Sequence, residues 1–121
     1  MTHPLALIIE DDPKQAELYE TVLQQCKYET RWISSGKDVL QALKSPLPNL
    51  ILLDMHIPYL SGTEMIKHIQ TDEQLREIPL IIVTADIYKA RDLYGQVEHI
   101  VLKTHGITQL QEIAKRVYPD P

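Results

Sequence analysis

The sequence predicts an α/β fold: one doubly wound, five-stranded parallel sheet in a single domain. Three observations carry that expectation. Apolar runs alternate five times with segments of helical period along the 121 residues, which is the rhythm of βα units around a parallel sheet. Most of the runs are continuous, as strands covered on both faces are. The first and third runs stop on acids, Glu10-Asp11-Asp12 and Asp54, and the carboxyl ends of such strands are where open α/β sheets bind ligands.

The first unit is a strand from Leu5 to Ile9 and a helix opened by Asp12 as N-cap, with Pro13 at the first helical position, where proline costs no hydrogen bond. Tyr19, Val22, Leu23 and Cys26 form its apolar stripe, and a cysteine so placed packs as a small hydrophobe. The second strand, Tyr28 to Ile33, differs in kind. Tyr28, Thr30 and Trp32 alternate with Glu29 and Arg31, which gives one wet face and a place at a sheet edge. Its helix runs from about Gly36 to Lys44, and Pro46 and Pro48 stop it.

The third strand is Asn49 to Leu53. Its helix begins near Ser61, where Ser61-Gly62-Thr63-Glu64 reads as a capping box and Met65, Ile66 and Ile69 as the buried stripe, and it frays through Thr71-Asp72-Glu73. Pro79 introduces the fourth strand, Leu80 to Val83, which ends in Thr84. Eighteen residues between Thr84 and Lys103 must supply a loop, a helix and most of the fifth strand, His99 to Leu102, so the fourth helix is short, about Asp86 to Leu93. Thr108-Gln109-Leu110-Gln111 reads as a second capping box, opening a last helix that buries Leu110, Ile113, Ala114 and Val117 and stops at Pro119.

Composition narrows the function. A chain of this length encloses one core, with nothing left for an output module. The longest apolar stretch has the length of a strand, too short to cross a membrane, and Met1-Thr2-His3-Pro4 carries no secretion signal, so a cytoplasmic location is expected. One cysteine, Cys26, cannot make an internal disulfide. A net charge of −5 disfavours direct binding to nucleic acid or anionic membrane. His3, His68, His99 and His105 are scattered without metal-site spacing.

The strand ends carry the chemistry. Glu10, Asp11 and Asp12 end the first, Asp54 the third, Thr84 the fourth and Lys103 the fifth, and a parallel sheet turns all of these ends the same way. Carboxylates at ~4 Å repel by ~4 kcal/mol at an effective dielectric near 20, which a divalent cation or a raised pKa must relieve. An acid cluster, a hydroxyl and an ammonium at one rim suit a hard, oxygen-ligated cation together with a group bearing negative oxygens, of which phosphoryl is the obvious one.

Ile8-Ile9-Glu10-Asp11-Asp12-Pro13, Leu52-Leu53-Asp54-Met55-His56-Ile57-Pro58, Gly62, Val83-Thr84-Ala85 and Leu102-Lys103 resemble the motifs of response-regulator receiver domains, over about residues 4 to 118. The resemblance implies a flavodoxin-like sheet in the order 2-1-3-4-5. It implies a signalling module and not an enzyme, acting in two-component signalling or a phosphorelay. Asp54 would be the phosphoacceptor, taking its phosphoryl group from a sensor histidine kinase or a histidine phosphotransfer protein. Mg²⁺ would be the cofactor, held by Asp11, by Glu10 mostly through water, by Asp54 and by the backbone carbonyl of His56. Thr84 and Lys103 would each hold a phosphoryl oxygen. A downstream protein partner and a monomer or weak dimer complete what it implies.

Three departures stand out. Receivers usually carry tyrosine or phenylalanine where this chain has Ile100, and proline after the lysine where it has Thr104. The fourth helix is short. These make a phosphorylation-independent pseudo-receiver scaffold the alternative. His56 and Asp86 lie two residues past Asp54 and Thr84, at positions that in receivers influence phosphoryl lifetime; they read as two independent solvated side chains, with the alternative that opposite charges there pair across the pocket mouth and lengthen that lifetime. An aspartate-nucleophile phosphatase fits poorly, since His56 stands where it needs a second aspartate. A flavin binder fits worse, because three acids stand where a neutral phosphate loop belongs.

Overall fold

Four of the five strands have the aliphatic side chains that a sheet covered on both faces demands, and in the computed structural model they pair in parallel in the order β2-β1-β3-β4-β5. The structure describes residues 3–44, 46–57, 61–103 and 106–118. The strands are β1 (Leu5–Ile9), β2 (Glu29–Ile33), β3 (Leu50–Asp54), β4 (Leu80–Thr84) and β5 (His99–Leu102), and the helices are α1 (Pro13–Gln25), α2 (Gly36–Ala42), α3 (Gly62–Thr71), α4 (Ile87–Leu93) and α5 (Gly106–Val117). The central β3 is buried throughout.

Strand periodicity divides the core in two. Ala6, Ile8, Leu50, Leu52, Ile81, Val83 and Val101 face one way, with Tyr19, Val22 and Leu23 of α1 and Leu110, Ile113 and Ala114 of α5. Leu7, Ile9, Ile51, Leu53 and Ile82 face the other, with Val39 of α2, Met65, Ile66 and Ile69 of α3, and Leu93 of α4. Burying each such Leu or Ile contributes ~1.5 to 3 kcal/mol before chain entropy is charged against it.

Local signals place the helix starts. Asp12 accepts a hydrogen bond from the Lys14 N–H at 3.0 Å and Pro13 follows at the first helical position. Ser61 accepts from the Glu64 N–H at 3.3 Å, while the reciprocal bond of a full capping box is absent among the described residues. Thr108 is a correction: α5 begins at Gly106, so Thr108 sits inside its first turn. Gly106 approaches Val101 so closely that a Cβ there would stand 2.4 Å from Val101 Cγ1, so the first residue of the helix packs directly on β5.

The edge strand also differs from expectation. Its expected wet face is exposed at Glu29 but half-buried beyond it: Arg31 lies across to α2, donating to the Ala42 carbonyl, and Ile33 packs on the second core. After α3 the chain does not fray. Asp72 Oδ1 accepts from the Gln74 and Leu75 N–H groups at 2.9 and 3.1 Å, turning the chain into a 3₁₀ segment, Leu75–Glu77, whose Leu75 is fully buried. Asp72 Oδ2 also meets Lys44 Nζ at 2.6 Å. Thr104 and Pro119 lie outside the described residues.

Candidate functional site

The two-residue period that sorts the core also sorts the rim. Glu10, Asp54 and Lys103 continue the rows Ala6-Ile8, Leu50-Leu52 and His99-Val101, so they share the α1–α5 side of the sheet. Thr84 continues Leu80-Ile82 on the opposite side.

On the first side, Lys103 Nζ donates to Asp54 Oδ2 at 2.9 Å and stands 3.5 Å from Glu10 Oε1. The His56 N–H donates to Asp54 Oδ1 at 2.9 Å. Glu10 is fully buried and Asp54 is 2% exposed. Glu10 Oε2 accepts from the Asp11 N–H at 3.0 Å and the Asp12 N–H at 3.5 Å. Its main chain is fixed too, by its own N–H to the Ile33 carbonyl at 3.2 Å and by Trp32 Nε1, which donates to the Glu10 carbonyl at 2.6 Å. Carboxylate oxygens of Glu10, Asp11 and Asp54 all lie within 4.8 Å of one another, with Asp11 exposed.

Crowded acids must be relieved, and here a proton and an ammonium relieve them. Burial first, and then Asp54, push the Glu10 carboxyl up from the usual carboxylate range to about 8. Burial would push Asp54 up as well, but the Glu10 carboxyl, the His56 N–H and Lys103 outweigh it and hold Asp54 below the usual range. Burial opposes the charge on Lys103, yet Asp54 and Glu10 outweigh it and raise its pKa. Asp54 is therefore the carboxylate of the cluster whose surroundings most favour the charged form.

The second side is built from neutral contacts. Thr84, fully buried, accepts from the Asp86 N–H at 3.1 Å, and its Oγ1 lies 3.5 Å from His56 Nε2. Asp86 itself turns down to cap α4, accepting from the Tyr88 and Lys89 N–H groups at 2.9 and 3.2 Å. Of the two readings of His56 and Asp86, pairing is not the one observed: no ion pair joins them among the described residues, where the α4 cap engages the carboxylate and Thr84 Oγ1 lies beside the imidazole. Ile100 is half-buried on this side, away from the acids, and lines an apolar groove with Ile87, Ala90, Tyr94 and Leu102.

Sequence reasoning missed Trp32. Its alternation on β2 marks it as packed against α1, and its register opposite Ile8 puts its indole N–H within reach of the loop after β1, but only the strand order makes that visible.

A parallel 2-1-3-4-5 sheet with paired acids after β1, a buried aspartate ending β3, threonine ending β4 and lysine after β5 defines a phosphoacceptor-type signalling fold. The chain belongs to the response regulator receiver domains, whose family model matches residues 6–115. The polar-differentiation response regulator DivK of Brucella ovis is 32% identical over 117 residues, covering 94% of this chain and 95% of that relative. The signal receiver domain of a signal transduction histidine kinase from Syntrophus aciditrophicus superposes with a TM-score of 0.83 at 26% identity, over 94% of this chain and 89% of that one. The chemotaxis response regulator CheY4 of Vibrio cholerae shares the fold, with a TM-score of 0.83 at 19% identity over 96% and 99% of the two chains.

Proposed function

We propose that Asp54 takes a phosphoryl group from a phosphohistidine on a sensor histidine kinase or histidine phosphotransfer protein, and that the modified domain signals by altered affinity for a downstream protein. The observation that carries this reading is a buried Asp54 whose Oδ2 sits 2.9 Å from Lys103 Nζ. In the transfer, an Asp54 oxygen forms the new bond to phosphorus while the phosphorus–nitrogen bond to imidazole breaks, and the leaving imidazole regains its proton.

Glu10, Asp11 and Asp54 offer only carboxylate oxygens, the donors Mg²⁺ prefers. Glu10 Oε1 is buried and accepts no hydrogen bond among the described residues, which also fits a cation or its water. When bound there, Mg²⁺ supplies charge neutralisation for the phosphoryl oxygens. Asp11, Asp54 and the His56 carbonyl would hold it directly, and Glu10 through water. Lys103 exchanges Asp54 Oδ2 for a phosphoryl oxygen, and the Thr84 hydroxyl donates to another.

Incubation with acetyl phosphate and Mg²⁺, read by intact mass, tests the reading. A single phosphoryl adduct is expected, absent in Asp54→Asn, and no adduct on the parent defeats it. The scaffold alternative draws on Ile100, whose half-buried aliphatic chain replaces the usual aromatic. Equal partner binding by modified and unmodified protein would favour it.

A further inference from the structure

Tyr19 does not belong to any part of the site described so far, and its hydroxyl is out of place in a core. The residue is 4% exposed, yet its Oη has no hydrogen-bond partner among the described residues. Native proteins rarely leave a buried hydroxyl so; where they do, a water, an ion or a function accounts for it.

Direction supplies the function. Side chains on a helix lean toward its N-terminus, and the N-terminus of α1 follows directly from the acidic loop after β1. Tyr19 therefore sends its hydroxyl up toward the rim, on the same side of the sheet as Glu10, Asp54 and Lys103. The negative charges of Glu10, Asp54 and Asp12 reach it, adding to burial in raising its pKa. Tyr19 and Lys103 line one cleft of about 80 Å³, with Gln15 as another polar residue in its wall and Val83, Val101, Gly106 and Leu110 among the rest. That is room for a water, provided polar groups hold it. Lys103 offers one, since its ammonium carries three N–H donors, of which one bonds Asp54 and a second faces Glu10 in an ion pair without a hydrogen bond.

We propose that Tyr19 is a positioning residue for Lys103, its hydroxyl tied through one water in their shared cleft to the third N–H of the ammonium. Lys103 is then held from beneath while its other two donors face the acids, and it stays aimed at the rim when Asp54 exchanges its free oxygen for a phosphoryl group. This rests on the reading of Asp54 as phosphoacceptor for its consequence, though not for the contact itself.

Tyr19→Phe removes the hydroxyl and keeps the ring in the core, so the melting temperature is expected to stay near the parent's. In the unmodified protein, hydrogen exchange of the Lys103 ammonium, followed at ¹⁵Nζ by NMR, is expected to quicken roughly 3- to 10-fold, the worth of one modest hydrogen bond. Adduct formation from acetyl phosphate with Mg²⁺ is expected to slow by a similar factor. In a Lys103→Ala background Tyr19→Phe should change that rate no further, because the two residues act as one unit. Unchanged ammonium exchange overturns the proposal, as does an undiminished effect of Tyr19→Phe when Lys103 is already gone. If the parent forms no adduct, the phosphoacceptor reading falls, while the ammonium exchange still decides the contact.

Discussion

The two sides of the rim are built from different materials. On the α1–α5 side, Glu10, Asp54 and Lys103 are locked by charge, with contacts of 2.9 and 3.5 Å around one ammonium, and a 13-residue helix burying four side chains backs them. On the other side, Thr84, His56 and Asp86 meet through single neutral hydrogen bonds. The backing there is α4, seven residues long with one buried side chain, Leu93, and around it Ile87, Tyr88 and Tyr94 are exposed at 60, 68 and 85%. Charge held in a rigid frame suits capture of a phosphoryl group, which needs preorganised donors. A short helix with few buried contacts suits the response, because elements that move come from the least stable parts of a fold.

Breaking the charged side gives the largest effects. Lys103→Met removes an ammonium that, after Glu10 and the His56 N–H, favours the charged form of Asp54 and would receive a phosphoryl oxygen, so adduct formation from acetyl phosphate is expected to fall on the order of 10²-fold. It also leaves two buried acids facing each other, and the urea midpoint should drop near pH 8. A fall of less than threefold in rate would mean that the ammonium serves the resting structure and not the chemistry.

The same side should show a pH signature. The native protein holds a proton on Glu10 up to about 8, whereas an unfolded chain releases it near 4.5. Between those values the folded state binds more protons, so the contribution of Glu10 to stability falls as pH rises across that window and is flat outside it. Urea midpoints measured in a chelator near the two ends of the window should show this decline in the parent, and Glu10→Gln should flatten it. Equal slopes in both proteins would place the proton elsewhere.

How much of this was readable in the chain follows the same division. Glu10, Asp54, Thr84 and Lys103 were legible because each interrupts a continuous aliphatic run, and the parallel order turns those interruptions to one rim. The short α4 and its approximate limits were legible from eighteen residues of available chain. What escaped depended on neighbours distant in sequence. Arg31 looked solvated until α2 came to lie beneath it, Thr108 looked like a cap until Gly106 closed on Val101, and Tyr19 looked like any core residue until Lys103 shared its cleft. His56 and Asp86 sit at matching positions, and only the cap geometry reveals that the carboxylate is already engaged.

The smallest effect separates the two sides most cleanly, because it compares one kind of bond in two settings. Asp12 caps α1 through the Lys14 N–H, and Asp86 caps α4 through the Tyr88 and Lys89 N–H groups. Replacing either by alanine removes ~0.5 to 2 kcal/mol of helix stability. In α1 that loss is shared with the whole fold, since Ala16, Tyr19, Val22 and Leu23 are buried in the core, so Asp12→Ala should lower the global urea midpoint. In α4 an isolated helix of seven residues is already marginal, so Asp86→Ala should open it locally. Amide exchange across Ile87–Leu93 is then expected to quicken roughly 2- to 30-fold with little change in the global midpoint. If Asp86→Ala instead lowered the global midpoint as much as Asp12→Ala, α4 would be as tightly coupled to the core as α1, and the contrast between a rigid capture side and a yielding response side would not hold.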